Sequence, residues 1–81
     1  MAYPQDTGEY ILDTDASDKA MGAVLSQIQN GEERVISYAS KVFNRSQRNY
    51  CVTDRELLSV VFFTEYFKVY LLGYKSMVTG S

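Results

Sequence analysis

The sequence has few of the residues that mark a specialised class of protein. One proline and five glycines in 81 residues exclude a low-complexity or disordered chain. The single cysteine, Cys51, excludes an internal disulfide and gives no reason to expect an oxidising compartment. Histidine is absent, which excludes Ser-His-Asp and Cys-His catalysis and argues against a zinc site.

An excess of positive charge and a long apolar run are also lacking. The formal net charge of -2 gives no electrostatic reason to expect strong nonspecific binding to nucleic acid, which argues against a chain that grips a duplex alone. The first ten residues are polar, and the densest apolar run, Leu57 to Phe63, is interrupted by Ser59. We therefore expect neither a signal peptide nor a membrane-spanning segment, and predict an intracellular protein, cytoplasmic or nuclear, with no membrane partner.

The apolar residues that are present can form one small core. Hydrophobic residues make up 46% of the chain, which is long enough for a single domain over residues 1–81. Apolar and polar residues alternate from Tyr10 to Ala16, as in a strand with one buried face. Met21 to Gln29 and Glu33 to Lys41 predict two more strands, joined by an Asn30-Gly31 turn with positive φ at both residues. The three strands form an antiparallel meander.

The second half of the chain has the period of a helix. Val42 to Cys51 is polar and predicts a loop or a single helical turn. From Asp54 to Leu72 apolar residues recur every three or four positions, which predicts one long helix packed on the sheet. Gly73 is a natural helix stop, and Tyr74 to Thr79 is an optional short fourth strand. The fold class is α+β.

Five segments in order resemble one known family. They read LDTDAS, GAVLSQ, VISYASKVFN, RNYCVTDRELLSVV and YLLG, and together they resemble the ribonuclease H domain of a gypsy-type LTR retrotransposon reverse transcriptase. The resemblance covers about residues 9–79. It implies a partial ribonuclease H-like fold and an activity that hydrolyses the RNA strand of an RNA/DNA hybrid. The family uses two Mg²⁺ ions held by four acidic residues.

The resemblance identifies three candidate site residues. Asp15 corresponds to the aspartate of the DAS motif and Glu56 to the glutamate of the ELL helix, so both are predicted catalytic residues and ligands of Mg²⁺ or Mn²⁺. Carboxylates suit these cations, and a pair of cations about 4 Å apart can drive an in-line displacement at phosphorus. Ser17 is the predicted contact to the substrate backbone.

Each candidate also has an ordinary structural interpretation. Asp15 can begin a turn by accepting a hydrogen bond from the backbone two residues on, and Ser17 can be a turn serine. Glu56 can close a capping box with Thr53. Asp13 shares the strand face of Asp15 and is expected to be solvated. The aromatic residues of the helix can form the core or a platform on which bases stack; they are Phe62, Phe63, Tyr66, Phe67 and Tyr70.

The chain departs from the family after YLLG. There the family carries a third metal-binding aspartate in a Thr-Asp-His run, whereas this sequence has Gly80, and the fourth acidic residue would follow Ser81. We expect a copy truncated before both acids, weak metal binding and no activity for the chain alone. The alternative is a catalytically dead, domesticated structural or protein-interaction module, whose uncovered apolar helix surface favours self-association or a protein partner.

Overall fold

A computed structural model describes residues 2–5 and 7–79, with side chains up to Tyr74. Three antiparallel strands form one sheet in the order β1-β2-β3, followed by a short and a long helix. This confirms the predicted α+β fold with a meander and one long helix. The elements are β1 Tyr10–Ala16, β2 Ala20–Gln29, β3 Glu32–Val42, α1 Arg45–Arg48 and α2 Val52–Thr79.

The predicted hairpin between β2 and β3 is confirmed. Asn30 and Gly31 have φ values of 55° and 80°, which give the turn a twist that matches that of the two strands. Val24 pairs with Tyr38, and the register shifts by one residue between Leu25 and Ser26. The shift leaves Ile36 as the extra residue of a β-bulge, and its side chain is only 2% exposed.

The long helix extends beyond both predicted ends. α2 begins at Val52, where the Cys51 carbonyl accepts a hydrogen bond from the Arg55 amide at 3.0 Å, and it ends at Thr79. The predicted stop at Gly73 is wrong, and so is the optional fourth strand over residues 74–79, because this backbone is helical. A glycine inside a helix costs about 1 kcal/mol, and a long apolar helix packed on a sheet overrides that cost.

The helical conformation of Gly73 predicts that Gly73→Ala will raise the free energy of unfolding by about 0.5–1 kcal/mol. A Cβ at this position meets no atom within 4 Å, so nothing offsets the gain in helix propensity. Urea unfolding followed by far-UV circular dichroism measures the change. Gly31→Ala is the matched control and should be destabilising, because φ at Gly31 is 80°. A destabilising Gly73→Ala would show that the helix ends at this residue.

The core lies between α2 and one face of the sheet, where the helix packs against β1 and β2. Phe63 is fully buried, and Leu12 and Ala16 pack against the cluster from β1. The helix-facing side of β1 therefore carries Leu12 and Ala16. The buried apolar residues are Met21, Ala23, Leu25, Ile36, Phe43, Phe63 and Phe67.

The N-terminal segment, residues 2–5 and 7, is tied to the hairpin end of the sheet. The Gln27 side chain is 0% exposed, and its Oε1 accepts a hydrogen bond from the Gln5 amide at 2.8 Å. Its Nε2 donates to the Gln5 carbonyl at 3.0 Å and to the Thr7 carbonyl at 3.2 Å. Gln29 Nε2 donates to the Tyr3 carbonyl at 2.7 Å. The ring of Tyr3 stacks on that of Tyr74 near the C-terminal part of α2, with ring centroids 6.4 Å apart.

No described residue of the chain covers the opposite side of α2. Its large apolar side chains on that side and on its flanks are exposed, and a shallow apolar groove of about 690 Å³ runs along one flank between Leu58 and Tyr70. The exposed residues include Leu57, Val60, Val61, Tyr66, Val69 and Leu72.

This helix is also long and apolar enough to cross a membrane, by length and composition only: the 23 residues Val52–Tyr74 contain an 18-residue window with a mean hydropathy of 1.3. The expectation of no membrane-spanning segment rested on the interrupted run Leu57 to Phe63, and this stretch is longer than that run. The observation is weak evidence for a membrane span, because the core helix of a globular protein passes the same test. α2 packs Phe63 into a core against a sheet, and it carries Glu65 and Lys68 near its middle, where lipid would make charge costly.

Candidate functional site

Asp15 lies one residue before the end of β1 and is exposed. Strand alternation places it with Asp13 on the face of the sheet that α2 does not cover, since Leu12 and Ala16 occupy the other face. Its partner across the strands is Gly22, which has no side chain to crowd the carboxylate. The turn interpretation of Asp15 fails, because the Ser17 amide donates to the Ala20 carbonyl at 2.8 Å instead.

Ser17 forms the turn between β1 and β2. Its Oγ accepts from the Lys19 amide at 3.2 Å and from the Ala20 amide at 3.1 Å, and it lies 3.2 Å from the Ala20 carbonyl, to which it can donate. The turn serine interpretation therefore describes this hydroxyl in the free chain. Its predicted contact with a substrate backbone stays a prediction, and such a contact would compete with the bonds of the turn.

Glu56 begins the second turn of α2 and is exposed. The capping box predicted with Thr53 is wrong, because the helix starts at Val52 and Thr53 is already its second residue. Arg55 supports the earlier start: its Nη1 donates to the Tyr50 carbonyl and to the Arg48 carbonyl. Among the described residues the Glu56 side chain makes no hydrogen bond or ion pair, so its carboxylate is available to a ligand.

The chain topology brings the elements that carry Asp15 and Glu56 to the same end of the sheet. Ala16 pairs with Met21 and Val42 pairs with Ala20, so β1 and β3 both finish there. The Phe43 amide donates to the Lys19 carbonyl at 2.8 Å, which fixes the start of the connection to α2 beside the β1–β2 turn.

The connection is short and locally ordered. Asn44 and Gln47 form a reciprocal capping box at α1, with bonds of 2.8 Å and 3.0 Å. α2 then begins at this end of the sheet and runs toward the N-terminal segment at the hairpin end, where Tyr3 meets Tyr74.

The two carboxylates have the donor chemistry of a Mg²⁺ or Mn²⁺ site but only part of the ligand set. Both supply hard oxygen atoms, and both side chains are open to solvent. Among the described residues, no group of three or more His, Cys, Asp or Glu side chains is placed to hold a metal ion. Gly80, where the family pattern has its third acidic residue, lies outside the described residues.

Two of the aromatic side chains of α2 belong to the core, and the base-stacking interpretation stays a prediction. Phe63 and Phe67 are buried in the core, as the core interpretation predicts. Tyr66 and Tyr70 are partly exposed and pack edge-to-face on Phe67, with ring centroids 5.1 Å and 6.2 Å apart. The series is mainly a packed ladder of rings along the helix.

Comparison with known proteins decides the family. Residues 1–78 match the family model described as the RNase H-like domain found in reverse transcriptase. The chain belongs to this family. Its relatives include retrotransposon Pol polyproteins. The predicted resemblance to the ribonuclease H domain of a retrotransposon reverse transcriptase is supported at this level.

Three similar proteins show how the chain relates to longer polypeptides. It is 38% identical over 73 residues, 90% of the chain, to the retrovirus-related Pol polyprotein from transposon opus of Drosophila melanogaster. It is 41% identical over 77 residues, 95% of the chain, to that from transposon 297 of the same organism. It is 35% identical over 69 residues, 85% of the chain, to the enzymatic polyprotein of Carnation etched ring virus. The chain spans only 7%, 7% and 10% of the lengths of these relatives.

Proposed function

We propose that the chain is the ribonuclease H-like part of a gypsy-type retrotransposon reverse transcriptase, in which it helps to hydrolyse the RNA strand of an RNA/DNA hybrid. The family match over residues 1–78 carries the proposal. The positions of Asp15 and Glu56 support it, because both carboxylates are exposed and belong to elements that meet at one end of the sheet.

In this proposal Asp15 and Glu56 act as two of the metal ligands. Paired divalent cations activate a water molecule and stabilise the leaving oxygen of an in-line displacement. Asp15 offers its oxygens from a strand that β2 holds in register, and Glu56 offers its own from a helix whose start Arg55 fastens to the preceding loop. Ser17 in the adjacent turn is the proposed contact to the substrate backbone.

Two carboxylates alone should bind Mg²⁺ weakly, because most of its six coordination positions would remain with water. We therefore expect the 81-residue chain by itself to bind Mg²⁺ or Mn²⁺ only at about millimolar concentration and to leave an RNA/DNA hybrid uncut. Asp15→Asn should abolish the metal binding. Titration of the backbone amide NMR signals with Mg²⁺ measures binding, and gel analysis of a labelled hybrid measures cleavage.

Asp13→Asn is the matched control for this experiment. It removes the same charge from the same strand face two residues away. A loss of Mg²⁺ binding caused only by the change in net charge would therefore appear in both variants. Metal binding that survives Asp15→Asn would refute the site assignment. Hybrid cleavage by the isolated chain that is lost with Asp15→Asn would instead show that two carboxylates suffice and that the expected inactivity is wrong.

A second candidate function, of a different class, is a catalytically dead structural or protein-interaction module. The observation in its favour is the exposed apolar side of α2. The two functions differ in what Asp15 does within a complete reverse transcriptase. Asp15→Asn should reduce hybrid cleavage by at least a hundredfold if this residue is a ligand of the nuclease site, and should leave it unchanged if the module is not catalytic.

A further inference from the structure

The uncovered side of α2 carries a regular seam. Val61, Glu65, Lys68 and Leu72 follow one another at spacings of four, three and four residues. This is the spacing of the positions at which two helices contact each other in a coiled coil. The seam lies opposite the core-facing Phe63 and Phe67, and its Val61 and Leu72 are 62% and 61% exposed.

Two opposite charges occupy the middle of this seam. Glu65 and Lys68 are both exposed, and within the described residues neither forms an ion pair. Val61 precedes them and Leu72 follows them. Whatever covers the seam must therefore offer a positive charge to Glu65, a negative charge to Lys68 and apolar side chains at both ends.

We propose that a second copy of this chain covers the seam, with the two α2 helices antiparallel. A two-fold axis passing between residues 66 and 67 places Glu65 against the partner's Lys68 and Lys68 against the partner's Glu65. The same axis places Val61 against the partner's Leu72 and Leu72 against the partner's Val61. The seam is thus complementary to itself in both charge and apolar character.

The charges also select the orientation. In a parallel pair, Glu65 would face the partner's Glu65 and Lys68 would face the partner's Lys68, which is unfavourable. The ion pairs contribute more to register and orientation than to affinity, because their desolvation offsets much of their attraction. A single pair of helices buries less than the roughly 800 Å² per partner of a standard interface, so a weak and reversible dimer is expected.

Sedimentation velocity over a range of concentrations tests the proposal. The wild-type chain should show a reversible monomer–dimer equilibrium. Lys68→Glu should weaken the dimer at least tenfold, because it sets like charges against each other in both central layers. Lys19→Glu makes the same charge change in an exposed turn and should leave the equilibrium unchanged. Circular dichroism of each variant checks that the fold is retained.

Restoration and cross-linking make the test specific. The double variant Glu65→Lys with Lys68→Glu should dimerise like wild type, because exchanging the charges preserves both pairs. In a Cys51→Ser background, a mixture of Val61→Cys and Leu72→Cys chains should form the disulfide-linked heterodimer, whereas Val61→Cys alone should not cross-link. A wild-type chain that stays monomeric, a Lys68→Glu variant that dimerises normally, or cross-linking of Val61→Cys with itself would overturn the proposal. If this face binds only other parts of a longer polypeptide, the wild-type chain will stay monomeric and the proposal will be wrong.

Discussion

Phe63→Ala should lower the free energy of unfolding by about 3–5 kcal/mol, as expected for truncating a buried aromatic ring. Phe63 is 0% exposed and lies where α2 meets the sheet. Its ring packs against those of Phe62 at 5.1 Å and Phe67 at 6.3 Å between centroids. Truncation would leave a cavity that neighbours on two elements cannot fill, since the sheet fixes one wall and the helix backbone the other.

Urea unfolding at low protein concentration measures this loss without interference from self-association. Phe62→Ala is the matched control: the adjacent ring is only half-buried, with Lys41 Nζ 4.8 Å above its centroid, so its loss should cost about half as much or less. A small domain has only about 5–15 kcal/mol of stability, so Phe63→Ala can leave a partly unfolded population. Phe63→Leu then supplies a second, milder point. Equal effects at Phe62 and Phe63 would contradict the assignment of the core.

The sheet was predictable because its determinants are local. Alternation of apolar and polar residues indicates a strand over Tyr10–Ala16, which is the observed β1. The Asn30-Gly31 pair indicates the hairpin turn, and the strands on either side of it begin or end within one residue of the predicted positions. The bulge at Ile36 could not be predicted, since it depends on how the Ile36 side chain packs within the core.

The ends of α2 were not predictable from local cues. Gly73 and the Thr53 to Glu56 pattern are both typical of helix termini, yet the helix passes through each of them. At the start of the helix, Arg55 reaches back to the Tyr50 carbonyl and holds the preceding loop against the first turn. Such contacts depend on the whole chain and override a weak propensity.

For the candidate site, the sequence supplies the residues and the structure supplies their placement in the fold. The family resemblance selects Asp15 and Glu56, and the structure places both as exposed carboxylates at the same end of the sheet. Their placement at the same end depends on the chain topology, because Glu56 comes 41 positions after Asp15 in the sequence. The sequence could not show that Asp15 lies on the face away from α2, which follows from the side on which the helix packs.

The attachment of the N-terminal segment was missed altogether. The sequence does indicate this attachment. Gln27 and Gln29 occupy alternate positions of β2 and therefore lie on the same strand face as the buried Ala23 and Leu25. A polar side chain at a core-facing position must find hydrogen-bond partners, because burying it without them is costly. The partners proved to be backbone groups about 20 residues away, at Tyr3, Gln5 and Thr7.

Gln27→Leu should therefore lower the free energy of unfolding by about 2–4 kcal/mol, mainly by leaving partly buried backbone groups of the N-terminal segment without partners. The side chain of Gln27 bonds both the amide and the carbonyl of Gln5 and also accepts a bond from Gln29 Nε2 at 3.0 Å. Leucine has a similar volume but can form none of these bonds. The N-terminal segment should detach, and hydrogen exchange at the Gln5 amide should become fast.

Gln5→Ala is the matched control for this effect. This change removes the exposed side chain of Gln5 but keeps the backbone groups that Gln27 contacts. The free energy of unfolding and the hydrogen-exchange rate of the residue 5 amide should therefore hardly change. Chemical denaturation gives the global cost, and hydrogen exchange followed by NMR locates it. If Gln27→Leu were as stable as wild type and the Gln5 amide stayed protected, the segment would be held by other contacts, of which the Ala2 amide to Val35 carbonyl bond at 2.8 Å is the first to test.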